Sequence, residues 1–266
     1  MVHGARIIKL SAESLIRRYA KFLSSRAVLS VSTQPTDCDI NLLSAKRGKT
    51  MKVTLIGYTK PVLLASGKQQ ISLDEFCARV ARYTNAESSW LELARDGPKD
   101  NDWMRLLRAV IKSGHTSVLE HVCFTFEIEG VSRTCTHQLV RHRIASYAQK
   151  SLRRMRVKEL VIPKTVKESN VDVSTALDLY RQLYRAGVPM EDARFFAPMA
   201  AASSILVTMN ARTLREVFFP LRLEKSAQWE IRALANEMLR LVKPLAPVIF
   251  ENFELDEDAA KERASP

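Results

Sequence analysis

The sequence is short of glycine, of paired cysteines and of long apolar runs, and each shortage removes a class of protein. Only eight of 266 residues are glycine and no two stand at GxG spacing, so the turn with which a Rossmann fold grips a dinucleotide is missing. The four cysteines (Cys38, Cys77, Cys123, Cys135) include no CxxC pair and nothing resembles a secretory signal; a reducing, cytoplasmic setting is expected. His121-x-Cys123 and Cys135-x-His137 do not have structural-zinc spacing, so no metal is expected. No apolar run reaches the roughly 20 residues of a membrane span. No membrane role is expected.

The most informative shortage is local. From Gly130 to Lys158 there is no Asp or Glu, yet there are eight Lys or Arg, six of them Arg. A merely solvated face mixes both signs, whereas Arg forks bidentately onto phosphates and carboxylates. In mid-helix Arg141, His142 and Arg143 would fan out at about 100° per residue. They are therefore placed just beyond a helix over 132–140, where they can share a ligand. Ser151-Leu152-Arg153 is read as extended, which puts the Ser151 hydroxyl and the Arg153 guanidinium on one face. That pair suits a phosphate.

The net charge of +12 invites a nucleic-acid reading, with 130–158 as the alternative binding segment. Half of that excess lies in residues 1–50, which hold nine Lys or Arg against three acids. Base stacking needs interleaved aromatics, and the basic segment offers only Tyr147. No nucleic-acid partner is expected.

Residues 1–50 carry a short amphipathic stretch over 11–23 (Leu15, Tyr19, Leu23) and then lose periodicity. They read as an appendage or a misplaced start, with a transit segment as the alternative. Residues 51–59 alternate like a strand, and Ser72 with Glu75 forms a capping-box pattern opening a helix to about 83. Helical spacing recurs over 90–94 and 103–112, with Asp102 as a candidate N-cap. Strands are expected over 122–128, 157–162 and 205–209. Further helices are expected over 177–184, from Asn210 to about 221, and over 227–242; residues 255–266 read as a frayed acidic tail.

Arg141-His142-Arg143, seven residues, then Ser151-x-Arg153 resembles the signature of the flavin-dependent thymidylate synthases. Gly114-His115-Thr116-Ser117-Val118-Leu119-Glu120-His121 resembles a second segment of that family, as do Glu191-Asp192-Ala193-Arg194, Asn210-Ala211-Arg212, Leu221-Arg222 and Ala227-Gln228-Trp229-Glu230-Ile231-Arg232. The resemblance covers about 51–253, so a single catalytic domain is expected over 51–254. Its expected class is α+β, a mixed β-sheet flanked by helices.

The resemblance implies conversion of dUMP to dTMP, with methylenetetrahydrofolate as carbon donor and NADPH-reduced FAD as reductant, in a homotetramer whose sites lie between subunits. It gives the nucleotide to Gln138, Leu139, Val140, Arg141, Gln149, Lys150, Ser151, Leu152, Arg153, Arg194 and Arg222. It gives the flavin to His115, Ser117, Arg141, His142, Arg143, Gln149, Asn210, Arg212 and Glu216. Arg222 is the implied catalytic residue: a guanidinium beside N3 of uracil stabilises the deprotonated ring and pushes electron density to C5. Cys135 lacks a nucleophile's context and reads as a small buried residue, so no enzyme thiolate is called for. Three positions depart from the family: Arg154 stands where Tyr is usual, Ser226 where some members have His, and Glu216 where Asn or His is usual. A carboxylate at 216 should weaken anion binding.

Overall fold

Val53, Phe124, Phe126, Ile128, Ile205, Val207 and Met209 are all buried and alternate with more exposed neighbours, the period-two pattern of a sheet with one face on the core. The computed structural model describes residues 50–63, 69–96 and 102–256. The expected appendage at 1–50 with its helix over 11–23 lies outside the described residues, Thr50 excepted. So do most of the loop before Asp102 and the tail beyond 256.

The strands are β1 (Lys52–Tyr58), β2 (Val62–Leu63), β3 (Gln69–Gln70), β4 (Cys123–Ser132), β5 (Ala145–Gln149) and β6 (Ala202–Asn210). β2 and β3 form a small ribbon, and the main sheet has the order β1-β4-β6-β5. The α+β class stands, but among the described residues every ladder is antiparallel and the sheet is not mixed. Alternation marks a strand without saying which way its neighbour runs. That direction is set by long-range register such as Cys123↔Asn210 and Ala145↔Met209.

Helices cover the inner face. Ser72 Oγ caps α1 (Leu73–Tyr83) by accepting from the Glu75 N–H at 3.1 Å, and Glu75 turns to Arg79. After α2 (Trp90–Asp96) comes α3 (Asp102–Lys112), where Asp102 sits inside the first turn and pairs with Arg105 at 2.9 Å instead of capping. Ser132 caps α4 (Arg133–Leu139), and α5 (Asp178–Arg185) closes a smaller core around Val157, Leu177 and Tyr180. The last helix, α6 (Trp229–Val242), buries Ile231, Leu234, Met238 and Val242 in the main core. At its start Glu230 accepts from the Ser132 N–H at 2.6 Å and the Ser132 hydroxyl at 2.5 Å, tying α6 to the head of α4.

Three expected elements differ. Ser151-Leu152-Arg153 is a turn: the Arg154 and Met155 N–H groups donate to the Ser151 carbonyl, so the shared strand face does not exist. Residues 157–162 make only one bridge among the described residues, Leu160↔Ala201, and the Val157 N–H is taken by the Tyr180 hydroxyl. The helix opened by Asn210 is interrupted. Its cap is as expected, with Asn210 Oδ1 accepting from Thr213 N–H at 2.7 Å, but a π-turn over Leu214–Phe218 precedes the final turn Phe219–Arg222. Such π-turns recur at functional sites.

Candidate active site

α4 ends where the cation loop begins. The Arg141 N–H donates to Gln138 O and the His142 N–H to Leu139 O, tightening the chain just past the helix, as its residue pattern requires. The Tyr147 hydroxyl lies 2.9 Å from the carbonyls of both Leu139 and His142, and Thr213 Oγ1 donates to Ile144 O at 3.1 Å. The loop is thus pinned from β5 and from the head of the Asn210 helix.

On that pinned loop the three side chains do not converge. Arg141 and Arg143 are exposed and have no ion pair among the described residues. His142 turns inward, 4% exposed, with its ring edge-on to Phe218 at 4.9 Å. From the far side Arg222 reaches in: its Nε donates to His142 Nε2 at 2.8 Å, and its Nη1 lies 3.5 Å from Gln138 Oε1. Burial, and then the charge of Arg222, lower the His142 pKa to about 4, so the imidazole is neutral. Cys135 is fully buried, and burial followed by the Glu230 charge raises its thiol well above the usual range. It is held protonated, a core residue as expected.

A second cluster gathers around Glu191. Arg153 donates to one Glu191 carboxylate oxygen from Nε at 3.1 Å and Nη2 at 2.7 Å, and Arg194 Nε donates to the Glu191 carbonyl at 3.0 Å. Arg133 is close enough that burial and then Arg194 lower its pKa. The turn that replaces the expected strand still draws Ser151 and Arg153 together, with the Arg153 N–H on Ser151 Oγ at 3.2 Å. Lys150 and Ser151 are exposed, whereas Leu152 packs on the smaller core and Leu139 is buried. Val140 caps α4. Gln149 turns inward, its Nε2 donating to Thr136 Oγ1 and Ser203 Oγ. Sequence reasoning missed Arg133 and Glu191, although both lie inside segments already singled out.

A third cluster lies at the far end of β6. Arg212 donates to Glu216 at 2.9 Å and to Glu120 at 2.6 Å. Glu120 therefore pairs with Arg212. Burial raises the Glu216 carboxyl, but hydrogen bonds from Thr116 and Arg212, with the charges of Arg212 and Arg215, outweigh it and leave the pKa low. His115 is exposed, with Nδ1 3.2 Å from Ser113 Oγ, and Ser117 is exposed on the short 3-10 turn Thr116–His121. The basic segment is accordingly not one open stripe. Its arginines have separate surroundings: Arg153 pairs with Glu191, Arg156 lies over the Tyr184 ring at 4.0 Å, and Arg141 and Arg143 are exposed on the pinned loop.

Comparison with known proteins bears on the family and the fold. The family described as "Thymidylate synthase complementing protein" matches residues 62–248. A protein named flavin-dependent thymidylate synthase from Geobacter sulfurreducens is 50% identical over 163 residues, covering 57% of this chain and 70% of its own. Another so named, from Pyrococcus furiosus, is 39% identical over 202 residues, covering 71% of this chain and 78% of its own. Among solved structures, a UMP/dUMP methylase from Streptomyces cacaoi bound with 5-Br dUMP shares the fold at a TM-score of 0.61 and 23% identity. That match covers 76% of this chain and 95% of the other.

Proposed function

The chain belongs to the flavin-dependent thymidylate synthase family, and from that premise we propose how its residues serve the conversion of dUMP to dTMP. The observation that carries the assignment of residues is the exposed ion pair between Arg153 and the Glu191 carboxylate. Arg194 lies on the same short segment as Glu191, its Nε donating to the Glu191 main-chain carbonyl, and the Ser151 hydroxyl accepts from the Arg153 N–H in the adjoining turn. A monoester phosphate offers more acceptor oxygens and more charge to Arg153, and would displace the Glu191 carboxylate. Arg133 adds a third cation to that place.

Arg222 and Gln138 meet the uracil ring. A guanidinium held against the N3 edge favours the ring with N3 deprotonated and makes C5 nucleophilic without a thiolate at C6. This suits a protein whose Cys135 is buried and protonated. Methylenetetrahydrofolate supplies the carbon and NADPH the reducing equivalents.

The residues present also fit FAD. Its pyrophosphate needs cations free of carboxylates, and Arg141 and Arg143 offer two on a loop pinned by Tyr147 and Thr213. Asn210, Arg212, Ser117 and His115 extend that surface. When bound, the reduced flavin supplies the electrons that complete the methyl group.

Exposed Ile144, at 72%, and Phe195, at 80%, flank the cation loop and the Glu191 cluster. Their exposure supports an interface with neighbouring copies, and with the family assignment it leads us to propose a homotetramer with sites shared between subunits. No helix among the described residues is long and apolar enough to cross a membrane; the cytoplasmic placement that we propose rests on the family assignment.

The test is direct. Purified protein should carry flavin absorbance, bind dUMP, and form dTMP from dUMP, methylenetetrahydrofolate and NADPH. Flavin-loaded protein that binds no dUMP would remove the Glu191 cluster from the site.

A further inference from the structure

Resting on the reading that Arg222 meets the uracil ring, we infer that His142 is a positioning residue for Arg222, its neutral imidazole fixing which edge of the guanidinium faces the substrate. The argument begins with donors. A guanidinium has five N–H groups and no acceptor, so the 2.8 Å contact between Arg222 Nε and His142 Nε2 exists only if Nε2 carries a lone pair. His142 must then hold its proton on Nδ1. The depressed pKa, caused by burial and then by Arg222 itself, agrees with this state.

His142 is itself immobilised. Its ring is 4% exposed and edge-on to Phe218. Its N–H donates to Leu139 O, and its carbonyl accepts from the Tyr147 hydroxyl. Phe218 closes the π-turn and Arg222 ends the following turn, so one irregular segment supplies both the floor under the imidazole and the arginine it holds.

The consequence concerns the fork. Arginine commonly meets a flat acceptor through its Nε and Nη2 hydrogens. Here Nε is taken by His142 and Nη1 leans toward Gln138, which leaves the terminal nitrogens to meet the ring end-on. A buried imidazole with Nε2 engaged has no free acceptor for a flavin. Its side chain therefore acts through Arg222, while the neighbouring Arg141 and Arg143 point outward.

A double-mutant cycle tests this. His142→Phe keeps an aromatic ring on Phe218 and deletes the acceptor; His142→Gln keeps an acceptor oxygen. We expect His142→Phe to lower single-turnover dTMP formation at saturating dUMP by about tenfold or more, the scale of a misplaced group. His142→Gln should restore most of that loss, bound flavin should stay unchanged, and His142→Phe should add nothing in the Arg222→Ala background. Loss of flavin together with additive effects would overturn the inference and make His142 a flavin ligand; an unchanged rate in folded His142→Phe would also overturn it. A near-normal rate in Arg222→Ala would instead sink the assignment of Arg222, and with it any catalytic consequence of His142.

Should His142→Phe not fold, the wild type still decides the pairing. The sequence holds five histidines, so 15N-histidine NMR, with the His142 signal identified by its loss in His142→Gln, reads the tautomer. An Nδ1–H tautomer with unprotonated Nε2 supports the inference, and an Nε2–H tautomer overturns it.

Discussion

Arg153 grips a single carboxylate oxygen of Glu191 with two of its nitrogens, at 3.1 and 2.7 Å, although the pair stands more than half exposed. An exposed ion pair of this kind is worth about 0–1 kcal/mol, so on the proposed reading an arriving phosphate would displace the carboxylate at little cost. Arg153→Lys keeps the charge but loses the fork. It should weaken dUMP binding while leaving flavin content nearly unchanged, and Glu191→Gln should tighten binding by up to about fivefold. Isothermal titration with dUMP checks both. An unaltered affinity in Arg153→Lys would mean that the phosphate sits elsewhere.

Arg222→Ala should keep bound flavin and its reduction by NADPH, while single-turnover dTMP formation at saturating dUMP falls by about two orders of magnitude or more. That is the usual effect of removing one preorganised charge from a developing anion. Measuring a single turnover separates lost chemistry from lost binding. A rate close to wild type would rule out Arg222 as the group that activates the ring.

Glu216 departs from the family pattern, and its carboxylate shares the Arg212 guanidinium with Glu120. On the proposed flavin site, it would compete with the pyrophosphate for that cation. Glu216→Asn should therefore tighten FAD binding by about two- to fivefold, the worth of one partly exposed pair. Fluorescence titration of flavin-free protein reads this. Weaker binding would show that Glu216 orients Arg212 and does not obstruct it.

His142 ties stability to pH. Its folded pKa of about 4 lies below the ordinary value of 6.5, so folding favours the neutral form. That contribution is complete above pH 6.5 and is lost as pH falls from 6.5 toward 4. Denaturant midpoints across this window should fall less steeply for His142→Gln than for the wild type. Parallel curves would place the imidazole in a solvated, unshifted state.

The Ser132–Glu230 junction should carry fold stability. Ser132→Ala removes the acceptor for Cys135 N–H and one of two donors to a buried carboxylate. Lost caps and unsatisfied buried groups each cost about 1–3 kcal/mol. Urea denaturation should show a loss of that order with flavin binding retained in the folded protein; a neutral effect would mean that α6 is anchored by its apolar face alone.

Local chemistry made much of this legible in advance. Ser72 reads as a cap because a hydroxyl before an amphipathic run satisfies an orphan N–H, and it does so. Asp102 reads the same way but sits inside α3, whereas Ser132 and Asn210, legible only as helix starts, do cap. The cation loop was placed past α4 because three consecutive long side chains cannot share a helix face. Residues 151–153 misled, since alternation over three residues cannot tell a strand from a turn whose hydrogen bonds close on Ser151 O. The π-turn over Leu214–Phe218 was equally hidden, its residue types being those of an ordinary helix.

By itself, the sequence determined which residues carry the charge, where helices open and which strand faces are buried, because these follow from side-chain chemistry within a few positions. Only tertiary structure decided who meets whom. Arg222 on His142, Arg153 on Glu191 and Arg212 between two carboxylates are encounters between distant segments, with 80, 38 and 92 residues separating Arg222 from His142, Arg153 from Glu191 and Arg212 from Glu120. Such pairings depend on sheet register and on how much turn the chain inserts after β6. No local pattern encodes that, because each partner would look the same in sequence had its neighbour packed elsewhere.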